Sequence, residues 1–303
     1  MRSGRLRRAV FWAAAAALLA PCAGRAFGAE PPDVGAALRS VVRSDYTDDE
    51  ITLLREQLRY RVDAGFNYDY LNPHPGFGDW WGGEAGIRAQ VHPAVTVFGR
   101  LGGALRPGGA DQPRIDDVLG SAGVIAELHR DMSSTTTLLW GSNSVYLPTF
   151  EANQEFEIGF PVSDDVVIAF TPGLFYSKDI YRQSVVGFLI GPLVHFYAFA
   201  VGYSFLYGQV EPGNMKSMTH TFTGSYDREG WFESSIAVEF GNGNYLTTYA
   251  PVVVKENTQF VGVQLSHRHW IGVDWGLYGQ LRFTKIYTEY EAWGGTIGGF
   301  YEF

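Results

Sequence analysis

The residues most able to do chemistry stand close together at Ser266, His267 and His269. A serine beside a histidine is the pair that acyl-transfer enzymes use as nucleophile and base, and histidines are common zinc ligands. The segment around them has the pattern of a β-strand, in which successive side chains point to opposite faces. We therefore expect Ser266 and His267 on opposite faces. This separation argues against a nucleophile and base pair, and no third metal ligand is near. The sequence therefore predicts no catalytic residue, metal or cofactor here.

Strands of this kind recur along the chain as segments in which apolar and polar residues alternate. In the first of them Phe66 and Tyr68 share one face, while Asp63 and Asp69 share the other. A period of two predicts strands with one apolar and one polar face. We predict fourteen strands, with twelve as the alternative, near residues 60–71, 79–91, 94–105, 117–129, 133–146, 153–161, 165–177, 180–191, 193–207, 216–227, 230–241, 257–268, 272–286 and 290–303.

The composition agrees with a membrane barrel. Charged residues make up 18% of the chain, aromatic residues 15%, and there are 37 glycines. A transmembrane barrel alternates its apolar belt with interior polar residues, so its mean hydropathy stays ordinary. A soluble β-sandwich or lectin-like barrel would also alternate, with its apolar face inside. Aromatic residues near strand ends, such as Trp80, Trp81 and Trp293, favour the membrane alternative, since interfacial girdles are aromatic.

One apolar run, from Val185 to Tyr207, is long enough for a transmembrane helix. Gly191 and Pro192 interrupt its middle, and β-branched and aromatic residues dominate both halves. These features favour two strands joined by a tight turn at Gly191-Pro192.

The first 28 residues have the features of a secretory signal peptide: early arginines, an apolar core over 9–20, and small residues near 26–29. Its removal leaves 18 Lys and Arg against 32 Asp and Glu, a net charge of −14. The remaining chain has no cysteine, which excludes disulfides. Its acidic balance argues against a nucleic acid partner.

Residues 29–59 are expected to form a periplasmic extension before a barrel over 60–303. Thr47 and Glu50 have capping-box spacing, and apolar residues follow at helical intervals, which predicts a short helix over 48–59. Two roles remain open. The extension packs against the barrel opening, or it serves as a plug or as a docking helix for a periplasmic partner.

The polar faces of the strands carry charges of both signs. Such an interior forms a salt-bridged filling or lines a polar path, and both alternatives remain open. A mixed interior does not imply strong selectivity for anions or cations. The candidate lumen-lining residues are Arg61, Asp63, Asp69, Glu84, Arg88, Glu233, Glu239, Arg268 and Arg282.

The last strand ends on an aromatic carboxy-terminus, with Ile297, Gly299, Tyr301 and Phe303 on one face. This pattern resembles the signal that Gram-negative outer-membrane β-barrels present to their assembly machinery, with Tyr301 and Phe303 as its carrying residues. The resemblance implies an all-β, antiparallel, up-and-down transmembrane barrel in the cell outer membrane, in contact with outer-membrane lipids.

A second resemblance covers residues 127–202, which are similar to BcsS-type cellulose-biosynthesis proteins of alphaproteobacteria. Where that family tends to have Gly-Pro-Glu, this chain has Thr171-Pro172-Gly173. The aromatic-rich barrel with few lysines also resembles YaiO-type outer-membrane proteins. The residues that carry the first resemblance are Ala126-Glu127-Leu128, Ser133 to Thr137, Gly159, Asp164-Asp165, Asp179, Tyr181-Arg182-Gln183 and Gly187.

These resemblances imply a non-enzymatic barrel that is an accessory of exopolysaccharide (cellulose-like) biosynthesis, secretion or transport. Its expected partners are the barrel-assembly machinery and polysaccharide or periplasmic export components. Two alternatives are an outer-membrane lipid-modifying enzyme and a passive porin for small solutes.

Overall fold

The computed structural model describes residues 59–72, 79–106, 115–142, 149–163, 165–178, 184–211, 215–228, 231–242, 259–287 and 290–303. The regular structure of these residues is entirely β-strand, and none of it is a helix long and apolar enough to cross a membrane. The expected signal peptide and the predicted helix before residue 59 lie outside the described residues. The extended segments are β1 (Tyr60–Asn72), β2 (Trp80–His92), β3 (Val95–Arg106), β4 (Ile115–His129), β5 (Met132–Gly141), β6 (Phe150–Ser163), β7 (Val166–Phe170), β8 (Gly173–Lys178), β9 (Ser184–Ile190), β10 (Pro192–Phe196), β11 (Phe199–Glu211), β12 (Met215–Arg228), β13 (Phe232–Asn242), β14 (Gln259–Trp270), β15 (Trp275–Ile286) and β16 (Tyr290–Glu302).

These segments make a closed antiparallel barrel of fourteen strands. β1 pairs with both β2 and β16, so the sheet has no edge there. β7 and β8 lie end to end along β6 without a change of register, because Ile158 faces Phe170 and Glu155 faces Gly173. β9 and β10 continue each other along β11 in the same way. The predicted all-β antiparallel barrel and the count of fourteen strands are confirmed.

The apolar face of every strand points outward. Leu281, Ile297 and Leu174 are 65%, 67% and 65% exposed, a degree of exposure that a soluble protein rarely gives to large apolar side chains. Among the described outward residues, Asp, Glu, Lys and Arg occur only within two positions of a strand end. An uncharged apolar belt outside a polar interior is the arrangement of a transmembrane barrel. The protein is therefore a barrel of the outer membrane.

The two ends of the barrel differ in their connections. At the end that holds Tyr60 and Phe303, strands are joined by tight turns such as Pro93-Ala94 and Tyr197-Ala198. Most connections at the other end are longer, and the one between β13 and β14 has sixteen residues, 243–258. Short turns are typical of the periplasmic side, so both termini of the barrel face the periplasm.

The predicted turn at Gly191-Pro192 is wrong. Both residues lie in the middle of a strand that runs from Ser184 to Phe196, and the chain turns at Tyr197 instead. Tyr197 has a φ of 50°, which such a turn requires and which glycine or asparagine usually supplies, so the sequence carries no turn signal there. Gly191 has another function: its carbonyl accepts from Thr171 N at 2.8 Å.

Gly191 cannot carry a side chain without displacing backbone. A Cβ at this position would overlap the carbonyl oxygen of Tyr203 and lie 2.8 Å from Ser204 Cα. We expect Gly191→Ala to lower the free energy of unfolding by about 1–3 kcal/mol, because backbone atoms cannot move aside as a flexible side chain can. Urea unfolding of the detergent-solubilised barrel measures the change. In the control Gly99→Ala, the new Cβ meets no atom closer than 3.7 Å, and equal losses in both variants would contradict the argument.

The orientation of the faces is tested by placing the same charge on two adjacent residues of β5. Leu138 is 41% exposed on the outer face, and Thr137 points inward opposite Asn153. Leu138→Arg should cost about 2–4 kcal/mol in a bilayer, as expected for arginine near the midplane. Thr137→Arg should cost clearly less. Unfolding in lipid vesicles compares the two, and the reverse order would mean that the faces are inverted.

Candidate functional site

The interior face of the barrel carries the residues that could act on a solute. The register places on this face Arg61, Asp63, Asp69, Glu84, Arg88, Glu233, Glu239, Arg268 and Arg282. Most of these charges do not stand alone. They meet in layers along one side of the barrel, formed by β1–β3 and β13–β16, which we call the arginine wall.

In the layer nearest the periplasm, two arginines pair with carboxylates and lie over the same aromatic ring. Arg61 Nε donates to Glu302 Oε1 at 2.6 Å, and Arg268 Nη1 donates to Glu233 Oε2 at 2.7 Å. Both guanidinium groups lie over the ring of Phe300, at 5.5 and 5.6 Å from its centroid. Glu302 is only 7% exposed, so this layer is a packed part of the interior.

The next layers are held by Arg100 and Arg282. Arg100 lies between two carboxylates, 3.2 Å from Asp63 and 3.6 Å from Glu84. Arg282 Nη2 donates to Asp69 Oδ1 at 2.9 Å. Arg100 was absent from the predicted set because it is the single charged residue between Val95 and Leu105, where glycine and apolar residues occupy both faces.

Toward the outer end of the arginine wall, apolar side chains replace the charges. Leu71, Trp80, Phe260 and Ile286 form a buried cluster, between 1% and 8% exposed, with Ala292 packed against it. These residues also belong to the inward face of their strands. Their packing makes this side of the barrel dense at its outer end as well.

Negative charge dominates the inward faces of the strands next to the arginine wall. The inward faces of β4, β5 and β6 carry no arginine or lysine, and we call the carboxylates that they hold the acidic wall. Within it Asn153 donates to Glu155 at 2.6 Å, and His195 Nε2 lies 3.1 Å from Glu157. The five residues of this wall are Asp117, Glu127, Glu151, Glu155 and Glu157.

The described interior is therefore acidic as a whole. Its five arginines, all on the arginine wall, stand against twelve carboxylates, which gives a net charge of −7. Six of the carboxylates share the arginine wall, five form the acidic wall, and Asp227 on β12 is the last. The structure thus confines the described interior arginines to one wall, whereas the sequence shows only that both signs of charge are present.

A cavity of ≈ 280 Å³ opens into the interior beside the arginine wall, lined mainly by β11–β15. Two of the candidate lumen residues, Glu239 and Arg282, line it together with Thr219, Thr221 and Thr223 of β12. The threonines could not be assigned to a site from sequence, because a threonine at every second position is also a common β-strand pattern.

Ser266 and His267 point to opposite faces, as strand geometry requires. Ser266 is inside and lies 2.7 Å from Ser235 Oγ, while His267 is outside. The serine that His267 does meet is Ser234 on the adjacent strand, with Oγ 2.8 Å from Nδ1. Sequence analysis missed this pair because the two residues are 33 positions apart.

The outward Ser234–His267 pair lacks the remaining parts of a hydrolase site. In the described residues, the other ring contacts of His267 are with Phe232 and with His269, whose ring centroid lies 6.0 Å away. No carboxylate or amide is hydrogen-bonded to the histidine there, as the third group of a catalytic triad would be. Nor does the described part of the chain hold a group of three metal-binding side chains.

Tyr301 and Phe303 lie on the outer face at the periplasmic end. Phe303 N donates to Tyr60 O and Tyr60 N donates to Phe303 O, both at 2.9 Å. The two rings stack at a centroid distance of 5.5 Å. The last residue therefore completes the seam between the first and last strands and leaves its ring facing lipid. Its part in assembly remains a prediction.

Comparison with one solved channel structure supports the fold. The CymD monoaromatic hydrocarbon channel superimposes with a TM-score of 0.51 at 7% identity, over 84% of this chain and 91% of that one. The translocator domain of the autotransporter NalP from Neisseria meningitidis gives 0.44 at 12% identity, over 89% and 98%. No family model and no curated protein matches the chain, so the resemblance to BcsS-type and YaiO-type proteins stays a prediction.

The buried Arg61–Glu302 pair should contribute measurably to stability. We expect Glu302→Gln to lower the free energy of unfolding by about 1–3 kcal/mol, because Arg61 then keeps its charge without its partner. Urea unfolding in detergent measures this change. Glu291→Gln is the matched control, since Glu291 pairs with Lys285 on the exposed outer rim and little or no change is expected. Equal losses of unfolding free energy in Glu302→Gln and Glu291→Gln would show that burial of the Arg61–Glu302 pair does not affect stability.

Proposed function

We propose that this barrel is a passive outer-membrane channel for small polar solutes, with a preference for cations over anions. This is the passive porin that the sequence left as an alternative, made more specific by the distribution of charge. The observation that carries it is the acidic wall: five carboxylates on β4 and β6, within three consecutive strands that have no inward arginine or lysine.

Two features of the interior support permeation. The bulky charged side chains are concentrated on the arginine wall, whereas the inward residues of β11 and β12 are mostly Gly, Ala, Ser and Thr. Small side chains leave space between the walls, and hydroxyl groups exchange hydrogen bonds readily with a hydrated solute. An interior of this kind suits an aqueous path better than a uniformly packed filling.

The charge of the path determines which ions enter. Carboxylates in a confined interior raise the local concentration of cations and repel anions. The carboxylates of the arginine wall are largely offset by their arginines, so the acidic wall sets the sign. We therefore expect selection by charge and size, with no chemical change to the solute.

The other expected functions have less support. The link with cellulose-like exopolysaccharide rests on the sequence resemblance alone, and no contact in the described interior points to a polymer. A lipid-modifying enzyme would need a supported nucleophile, and Ser234 has only His267 beside it. Both alternatives predict a function that does not change when the carboxylates of the acidic wall are removed.

Ion selectivity tests the proposal directly. In planar bilayers with a tenfold KCl gradient, the reversal potential of the wild-type channel should lie toward that of K⁺. The triple variant Glu151→Gln, Glu155→Gln and Glu157→Gln should lower the K⁺ to Cl⁻ permeability ratio by about half or more, since it removes three of the lumen charges.

The matched control for this experiment is Glu211→Gln, which removes a carboxylate from the outer face at the strand end. Its reversal potential should equal that of the wild type. Absence of any conductance in the folded wild type would refute the channel. A reversal potential that is the same in the triple variant and the wild type would refute the role of the acidic wall.

A further inference from the structure

The cavity beside the arginine wall has the chemistry of a binding site for a small neutral solute rich in hydroxyl groups. Its volume of ≈ 280 Å³ is slightly below the usual range of ligand pockets, about 300–1,000 Å³. At about 30 Å³ for each water molecule, it has room for a solute of roughly ten non-hydrogen atoms. We infer that it binds a polyol or monosaccharide-sized molecule. The inference deepens the proposed channel function by naming a class of solute.

The first argument is the row of hydroxyl groups that line the cavity. Thr219, Thr221 and Thr223 are successive inward residues of β12, and Ser204 of β11 faces Thr221. Each hydroxyl can donate one hydrogen bond and accept others. A polyol presents the same dual groups at similar intervals, so donors and acceptors match without any charge.

The second argument is that polar atoms of the lining residues lack partners inside the protein. Thr219 Oγ1, Gln264 Oε1 and Arg282 Nε are buried and have no hydrogen bond. Thr219 is only 3% exposed. Buried polar atoms without a partner cost free energy, so a small rotation that turns these side chains toward a solute in the cavity would be favourable.

The third argument is that the charges at the cavity are balanced. Arg282 is held by Asp69 at 2.9 Å and also donates to Gln280 at 3.2 Å, so much of its charge is offset. Glu239 lies on the same lining. The lining therefore holds one charge of each sign, and it has no net charge that would draw an anion or a cation in preference to a neutral solute.

The backbone is shaped to keep this space open. A Cβ at Gly202 would lie 2.7 Å from Thr223 Oγ1, and one at Gly262 would lie 2.6 Å from Glu239 Oε1. Glycine at these two positions lets the polar groups of neighbouring strands extend into the interior. The apolar floor of the cavity comes from Leu189 and Leu206, which contact the carbon skeleton of a solute.

Binding of sorbitol to the folded barrel tests the inference. Calorimetry or saturation-transfer NMR in a detergent without sugar groups should show saturable binding by the wild type. The double variant Thr221→Val and Thr223→Val keeps the shape of both side chains and removes two hydroxyls, so affinity should fall by about tenfold or more. Thr137→Val, an inward threonine of β5 outside the cavity, should bind as the wild type does.

Other outcomes would overturn the inference. These are no saturable sorbitol binding by the folded wild type, equal binding by the double variant, or a preference for zwitterionic alanine or anionic gluconate over sorbitol. A heat-modifiable band on a gel shows that each variant is folded. Conductance recorded on the same preparations separates the two proposals. A channel that conducts without binding sorbitol retains the proposed function, and one that binds without conducting retains the site.

Discussion

Backbone hydrogen bonding in hydrocarbon is the constraint on which the rest of this structure depends. An unpaired amide or carbonyl in the bilayer costs several kcal/mol, so a sheet can cross only if it has no edge. The chain meets this requirement by joining Tyr60 to Phe303 across the seam. Pro172 has no amide hydrogen to give to the ladder, yet its carbonyl still accepts from Phe156 N at 2.9 Å.

Closure assigns each residue to lipid or to the interior, and polar side chains that face lipid find partners on adjacent strands. On the outer face, uncharged polar groups meet a partner on the adjacent strand. Gln154 donates to Ser134 at 2.8 Å, and Tyr203 lies 2.8 Å from His220. The Ser234–His267 contact belongs to the same set. Polar groups that face lipid need hydrogen-bond partners, and this need explains the Ser234–His267 contact without any catalytic role.

Sequence predicts the architecture well because one physical pattern determines it. Alternation identifies the strands, their number and the face of each charged residue, and these need only neighbouring positions. It fails where the decisive contact is between strands. The turn at Tyr197 replaces the expected one at Gly191 because Gly191 is needed for the close approach of Tyr203. The separation of charge into two walls and the cavity likewise follow from the order of strands around the ring, which alternation does not contain.

The distribution of side-chain size around the ring connects the architecture with the proposed function. Arginine is long and must be paired where solvent is scarce, so the arginine wall becomes a dense network with apolar packing at its outer end. Threonine and glycine are short, and they leave the unfilled volume on the neighbouring strands. In the proposed channel, a crossing solute would meet mainly carboxylates and hydroxyl groups, with Arg282 as the arginine that lines the cavity. Under the two proposals, selection by charge and recognition of hydroxyls are two consequences of one uneven placement of bulky residues.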